Sequence, residues 1–230
     1  NITGNCVIIN QCNQNMRKII EESPQKITYI ETTERGLSKS RNMAIEQATS
    51  DICIFCDNDV EYNENYEQLI LEEYKQHPEY DIIIFHIESK VHPVPCYSKP
   101  RRITYLTSGR IFSPEISFRR SSIQNIRLNE KIGAGTKYLM GEENAFLYEC
   151  LRQGLKLYYV PKQIAKLRYE PSTWDSGFNT KFFIARGASF AAMTAHFSLI
   201  LIFQYAIRKY KFYKTQVSLF SAIYYMLKGR

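Results

Sequence analysis

The sequence predicts an α/β fold built on a mostly parallel sheet with helices on both faces. Three observations support this prediction. Short apolar runs alternate with segments of helical periodicity, which is the pattern of strands joined by helices. Residues 52–56 are all apolar and too few for an independent helix, as expected for a strand covered on both faces. The polar triplet Asp57-Asn58-Asp59 follows this run, at the strand end where open α/β sheets bind ligands.

The elements before this triplet can be taken in order. We expect a strand at residues 6–10, a short helix marked by Met16, Ile19 and Ile20, and a strand at residues 27–30. A longer helix follows, because apolar or long side chains recur there at helical spacing. These positions are Leu37, Arg41, Ala44, Ile45 and Ala48.

The second half continues the alternation. A helical stripe over residues 66–74 is closed by His77-Pro78, and strands are expected at residues 81–87 and 116–119. Residues 88–112 read as an irregular segment, whose three arginines suit a bound diphosphate, a charged acceptor or a solvated surface. After a glycine-bearing loop at residues 128–138, a helix begins at Glu142 and stops at Gly154, and a strand follows at residues 157–160.

The charge is unevenly distributed along the 230 residues. Residues 1–170 hold 22 Lys and Arg against 22 Asp and Glu, whereas residues 171–230 hold eight basic residues against Asp175 alone. The basic excess therefore lies in an apolar tail, which favours an anionic membrane surface as partner and argues against nucleic acid. The length suits one domain with an appendage, and we expect domains at residues 1–175 and 176–230.

The tail itself predicts helices. Residues 187–207 contain no formally charged side chain, a length that would span a bilayer, but polar residues interrupt the run. A second apolar stretch lies at residues 217–227. We expect a pair of amphipathic helices, lying in the membrane interface or packed on the domain, in preference to a true span.

Cysteine and histidine residues give no sign of a metal site. Cys53 and Cys56 have the spacing of a zinc ligand pair, but residues three apart on a strand point to opposite faces, so we expect buried, reduced thiols. His77, His86 and His92 lie far apart without a partner at ligand spacing. With no secretory signal in the sequence, we expect a reducing cytoplasm.

The triplet Asp57-Asn58-Asp59 has two interpretations from its residues alone. Two carboxylates one residue apart are hard oxygen ligands of the kind that hold Mg²⁺ or Mn²⁺ together with substrate phosphates. The same residue types also favour tight turns without any ligand.

The segment GLSKSRNMAIEQATSDICIFCDND resembles, almost position by position, a signature of the family-2 glycosyltransferases of the GT-A fold. The matching positions are Gly36, Leu37, Ser38, Ser40, Arg41, Asn42, Ala44, Ile45, Ala48, Asp51, Asp57 and Asp59. The resemblance implies a Rossmann-like GT-A sheet. In the family a strand and a helix precede the strand that matches residues 6–10, so we expect this first β-α unit to be missing.

The resemblance also implies roles for individual residues. Asp59 and Asp57 would hold Mn²⁺ or Mg²⁺, and further residues would contact a nucleotide sugar. These are Asn10, Gln11, Arg35, Gly36, Lys39, Arg41, Asn42, Asp57 and Asn58. Asn10-Gln11 stands where many relatives carry an acidic residue.

A second motif, Gly141-Glu142-Glu143, begins the predicted helix. From the residues alone, acidic side chains in a first helical turn are expected for their interaction with the helix dipole. The motif and the residues after it resemble the family's second signature, whose acidic pair contains the catalytic base. This implies that Glu143 is the base, with Glu142 as its neighbour and alternative. Ser172-Thr173-Trp174 resembles a segment beside the acceptor, and Trp174 and Gly135 are therefore expected to bind it.

Taken together, the resemblance implies an inverting transfer of a sugar from a nucleotide-diphosphate sugar, expected to be a UDP-sugar. The acceptor would be a hydroxyl of a glycan or lipid-linked molecule in surface polysaccharide synthesis, at the inner face of the cell membrane. Two other classes are compatible with the chain. A nucleotidyltransferase of similar fold should carry a glycine- and basic-rich phosphate loop near its first strand, which this sequence does not show. A non-catalytic nucleotide-sugar-binding domain is the other.

Overall fold

The structure is a computed structural model that describes residues 2–22, 25–90, 93–168 and 177–230. The chain divides into two compact units. The first comprises Asn1–Glu34, Ser40–Arg127 and Cys150–Glu170, and the second comprises Arg35–Lys39, Leu128–Glu149 and Pro171–Arg230.

The first unit begins with a three-stranded sheet of order β1-β3-β2. Strands β1 (Cys6–Gln11) and β3 (Gln25–Thr32) are parallel, whereas β2 (Met16–Glu22) is antiparallel to β3. The predicted helix at Met16, Ile19 and Ile20 is therefore wrong. Seven residues are too few to stabilise an isolated helix. Here their backbone groups form hydrogen bonds with β3 instead.

The larger sheet of this unit has the order β4-β8-β6-β9-β5, with β7 paired to β9. Its strands are β4 (Ile52–Ile54), β5 (Val60–Tyr62), β6 (Ile82–Glu88), β7 (Arg101–Ile103), β8 (Ile116–Arg119) and β9 (Leu157–Leu167). Among the strand pairs of this sheet in the described residues, β6 and β9 are parallel and the others are antiparallel. The sheets are thus mixed, and the prediction of a mostly parallel sheet is corrected.

Strand β6 is the centre of the core. Its residues from Ile82 to Ile87 are buried, which suits a strand covered on both faces. Helix α2 (Tyr66–Gln76) contributes Tyr66, Ile70 and Tyr74 to the same cluster. The Tyr74 hydroxyl accepts a hydrogen bond from the Ile83 amide at 3.1 Å, so this buried polar group is satisfied.

Two further helices carry the sequence motifs. Helix α1 (Leu37–Gln47) follows the predicted helical spacing, and α3 (Glu142–Arg152) begins at the predicted residue. Gly154, just after α3, has a φ of 84° and ends the helix as expected.

In the described part of the tail, residues 177–230, there are three helices and not the expected pair: α4 (Thr180–Met193), α5 (Ser198–Tyr213) and α6 (Leu219–Gly229). The uncharged run at residues 187–207 is divided between α4 and α5. Within the described ranges, every helix falls short in length or apolar character of what a membrane crossing requires.

Helices α4 and α6 approach each other very closely. A methyl group placed on Gly187 would lie 1.9 Å from the Met226 carbonyl oxygen, and one on Gly229 would lie 1.9 Å from the Ile184 carbonyl oxygen. Glycine at these two positions therefore lets the helix backbones touch. Phe183, Ile202 and Tyr213 fill the core among the three helices.

Candidate functional site

The carboxylate corner, residues 57–59, connects β4 to β5 in the first unit. The Val60 amide donates to the Asp57 carbonyl at 3.3 Å, and the Arg168 amide donates to the Asp59 carbonyl at 2.7 Å. These backbone bonds fix the corner at both ends. Asp57 and Asp59 are half-buried and Asn58 is exposed, so the corner is open to a ligand.

Arg41 holds one of these carboxylates in place. Its guanidinium donates to Asp57 Oδ1 and to Ser113 Oγ, both at 2.8 Å, and lies 5.5 Å from the centre of the Phe55 ring. Arg41 is only 6% exposed. Because its planar fork joins three side chains, Arg41 positions Asp57 from inside the protein.

The donor set fits a metal bound together with a diphosphate. Among the described residues, no three His, Cys, Asp or Glu side chains are grouped to hold a metal ion. Mg²⁺ commonly binds to one or two carboxylates and completes its shell with phosphate oxygens and water. Asp59 and the second oxygen of Asp57 match this requirement.

The carboxyl end of β1 carries a polar network. Asn10 lies opposite Glu31 in the parallel pairing, and its amide donates to the Tyr29 hydroxyl at 2.8 Å and to Glu31 Oε1 at 3.4 Å. Gln14 donates to the other Glu31 oxygen. An acidic side chain thus lies beside Asn10 after all, and it comes from the neighbouring strand. Gln11 is half-buried at the same strand end.

In the second unit, two glycine-bearing segments pack backbone against backbone. The Leu37 amide donates to the Ala134 carbonyl at 2.8 Å, and a methyl group on Gly135 would lie 3.2 Å from Gly36 Cα. Gly36 and Gly135 have φ angles of 118° and 77°, a region that favours glycine. The structure therefore joins a residue predicted to bind the donor to one predicted to bind the acceptor.

The two glutamates at the start of α3 have different surroundings. Glu142 is buried, and a methyl group on Gly133 would lie 3.1 Å from its carboxyl carbon and 3.1 Å from Ser38 Oγ. Glu143 is half-exposed. Glu143 is therefore the more accessible of the pair, while Glu142 packs against the glycine loop (residues 133–141).

Helix α4 supports the same region. Gly141, with a φ of 88°, lies so close to Ser189 that a methyl group there would approach the Ser189 hydroxyl to 1.9 Å. Ala188 packs with Ile132 and Ala145. The tail helix α4 is thus part of the structure that holds the start of α3.

Glu115 is a buried carboxyl two residues after Ser113, which accepts a hydrogen bond from Arg41. Burial is the main cause that raises the pKa of Glu115, to about 7, although backbone amides such as that of Phe112 oppose the shift. Its Oε2 accepts from the Phe112 amide at 3.0 Å. The group therefore changes charge near neutral pH.

The other residues predicted to bind the donor differ in their exposure. Arg35 is exposed, Lys39 is half-buried and Asn42 is buried, while Trp174 and His92 lie outside the described residues.

Residues 88–112 include strand β7, and Arg101 and Arg110 stack on the Tyr97 ring at 4.7 and 5.7 Å. All six cysteines are free thiols; Cys150 is buried, but Cys56 is exposed, contrary to prediction.

Several residues of these sites were not found from the sequence. Ser113 lies 72 residues after Arg41, and a single serine gives no local signal. Gly133 and Ser189 act through packing that only the fold reveals. Glu31 had a usable signal, since it is an acidic residue at the carboxyl end of a predicted strand.

The α/β architecture agrees with the resemblance to family-2 glycosyltransferases, and the sequence comparison shows the family. Residues 5–150, well over half of the chain, match the family described as glycosyl transferase family 2, and the chain belongs to this family. No curated protein sequence matches the chain.

Solved structures of Staphylococcus aureus TarS have a similar fold. The complex of TarS residues 1–349 with UDP-GlcNAc is 16% identical, has a TM-score of 0.61, and is matched over 91% of this chain and 64% of that one. A longer TarS structure is 17% identical with a TM-score of 0.60, matched over 93% of this chain and 40% of that one. The chain thus spans less than two thirds of these structures, and the likeness shows a GT-A-like fold.

Proposed function

We propose that this chain transfers a glycosyl group, with inversion, from a nucleotide-diphosphate sugar to a hydroxyl group of a glycan or lipid-linked acceptor. The observation that carries the proposal is the family match, which includes both the carboxylate corner and the start of α3. A UDP-sugar is the proposed donor, supported by the UDP-GlcNAc bound to TarS. Surface polysaccharide synthesis is the proposed context.

The metal site of the proposal consists of Asp59 and Asp57. Mn²⁺ or Mg²⁺ bound there with the diphosphate would neutralise the negative charge that develops on the leaving group. Arg41 keeps Asp57 oriented, and its own charge is balanced by that carboxylate. Asn58, which is exposed between the two aspartates, is proposed to contact the nucleotide-sugar donor.

Glu143 is the proposed base. As the acceptor oxygen bonds to the anomeric carbon, its proton passes to the Glu143 carboxylate, and the electron pair of the broken C–O bond leaves with the diphosphate. The half-exposed position of Glu143 supports this assignment over Glu142, which is packed against Gly133. Gly135 and Trp174 are proposed to contact the acceptor.

The remaining donor contacts are proposed from the family resemblance. Asn10 and Gln11 lie at the carboxyl end of β1, where ligands of α/β sheets bind. Gly36 lies at the positive-φ turn before α1. Arg35, Lys39 and Asn42 complete the proposed set. We place the reaction in the cytoplasm, at the inner face of the membrane.

The experiment that tests the metal site is calorimetry of UDP binding with Mn²⁺. We expect binding by the wild-type chain and its loss in Asp59→Ala, because the carboxylate that links the ion to the protein is gone. Glu64→Ala is the matched control, since it removes an exposed carboxylate five residues away. Equal UDP affinity of Asp59→Ala and Glu64→Ala would overturn the assignment.

A further inference from the structure

Helix α5 exposes an apolar stripe. Ile200, Phe203 and Ile207 lie three and four residues apart, which places them on one face of the helix, and they are between 47 and 67% exposed. The opposite face is covered, since Ile202 and Ala206 are fully buried against α4 and α6. The helix thus has an inner apolar face that packs and an outer apolar face whose side chains are about half exposed or more.

Helix α6 repeats this arrangement. Phe220, Tyr224 and Leu227 follow at intervals of four and three residues and are between 41 and 83% exposed. Arg230, at the end of α6, donates through Nε to Ser198 Oγ at the start of α5, at 2.6 Å. The two helices therefore run antiparallel as a hairpin, and each carries an apolar stripe on its outer surface.

The charge of this hairpin has one sign. Residues 198–230, which form the hairpin, contain six Lys and Arg and no Asp or Glu. On an ideal helix, Lys211 and Lys214 fall on the same face as Ile200, Phe203 and Ile207, in the turn that follows the stripe. The outer face of α5 is thus apolar over its first half and basic at its end.

We infer that the outer surface of the α5–α6 hairpin docks on an anionic lipid bilayer. An apolar stripe bordered by lysines is the pattern of helices that lie in the membrane interface, with apolar side chains among the acyl chains and basic ones at the headgroups. The absence of acidic residues from the hairpin sequence gives charge complementarity to anionic lipid. The inference does not depend on glycosyl transfer.

The structure also corrects which residues would enter the lipid. The sequence predicts that six apolar residues enter the lipid: Phe197, Leu199, Ile200, Leu201, Ile202 and Phe203. Ile202, however, is fully buried and Leu201 is half-buried in the helical core. Deleting the tail would remove Ala188 from its packing with Ala145. Substitutions on the outer surface are therefore the better test.

The test is sedimentation of residues 1–230 with vesicles of phosphatidylcholine containing phosphatidylglycerol. We expect the triple variant Ile200→Gln, Phe203→Gln, Ile207→Gln to lose most vesicle binding at every salt concentration, because its apolar contribution is not screened. The matched control, Leu71→Gln with Leu106→Gln, changes exposed apolar residues of the first unit and should bind as the wild type does. Circular dichroism verifies that helix content is kept.

The basic contribution is tested separately. Lys211→Gln with Lys214→Gln should weaken binding about fivefold per charge at low salt, and less as salt rises. Lys75→Gln with Lys131→Gln, two exposed lysines elsewhere, should have no such effect. Unchanged binding of the stripe variant, or equal binding to pure phosphatidylcholine, overturns the inference. The inference is also overturned if light scattering shows that the wild type is an oligomer and the stripe variant a monomer, while both bind vesicles equally.

Discussion

At the scale of single residues, the arrangement around Arg41 decides how the carboxylate corner is held. Arg41 is buried and bonded to Asp57 and Ser113, so it serves as a support for the corner more than as an exposed ligand contact. Removing it would leave Asp57 without its charge partner and the Phe55 ring without its cation. Both losses act on the geometry of the proposed metal site.

Arg41→Ala is expected to lower the free energy of unfolding by about 1–3 kcal/mol, because Asp57 loses its charge partner. The loss is limited to this range because Asp57 is half-buried and stays partly hydrated. Urea denaturation measures this change. Arg127→Ala is the control; it breaks a more exposed pair with Glu46 at 3.5 Å and the bonds from the Arg127 guanidinium to the Gln124 and Ile126 carbonyls, and it should cost less, about 1 kcal/mol. A loss no greater in Arg41→Ala than in Arg127→Ala would show that the network is not structural.

Glu115 gives a prediction in pH. Burial raises its pKa from 4.5 to about 7, so the native state keeps this proton at pH values where the unfolded chain has lost it. Between these values the native state binds more protons, and its free energy of unfolding therefore falls as pH rises. The total contribution to this fall is about 3 kcal/mol, reached above pH 7.

The measurement is urea denaturation of the wild type and Glu115→Gln from pH 4 to pH 8. Glutamine keeps an oxygen for the Phe112 amide and carries no charge. We expect the wild type to lose unfolding free energy relative to Glu115→Gln as pH rises from about 4.5 to 7. Parallel pH profiles of the two proteins would disprove the assignment.

At the scale of elements, the sequence predicted helices better than strand directions. The spacing of Leu37, Arg41 and Ile45 determines one helix face, and α1 forms there. The direction of a strand leaves no such pattern, because side chains alternate between faces in parallel and antiparallel strands alike. The antiparallel direction of β8 could therefore not be predicted from the sequence. Strand β2 was missed for a different reason, because the spacing of Met16, Ile19 and Ile20 predicts a helix.

The contact between α4 and α6 gives a prediction for an element. Gly187→Ala would place a methyl group 1.9 Å from the Met226 carbonyl oxygen, and the helices must separate to admit it. Overpacking of this kind costs about 1–3 kcal/mol of unfolding free energy. Thermal denaturation should show a lower midpoint for Gly187→Ala than for Gly109→Ala, where the added methyl has no neighbour within 4 Å. Equal midpoints would contradict the close packing.

At the scale of the whole molecule, the carboxylate corner and the acidic pair of α3 belong to different compact units. The carboxylate corner lies in the first unit, and the start of α3 lies in the second with the tail helices. The motif residues themselves were predictable because their chemistry and spacing are local. Their supports, Ser113 for Arg41 and Ser189 for Gly141, come from distant parts of the chain and were not.

The central claim is that this chain transfers sugar from a nucleotide sugar with Glu143 as base. The most direct measurement is nucleotide release from a panel of UDP-sugars with Mn²⁺, by the wild type, Glu143→Gln and Glu142→Gln. We expect release by the wild type with at least one donor, and a loss of about 10²- to 10⁴-fold in Glu143→Gln with donor binding retained. Glu142→Gln should keep more activity, because its side chain packs against Gly133. Release by Glu143→Gln at the wild-type rate, or none from any donor, would contradict the claim.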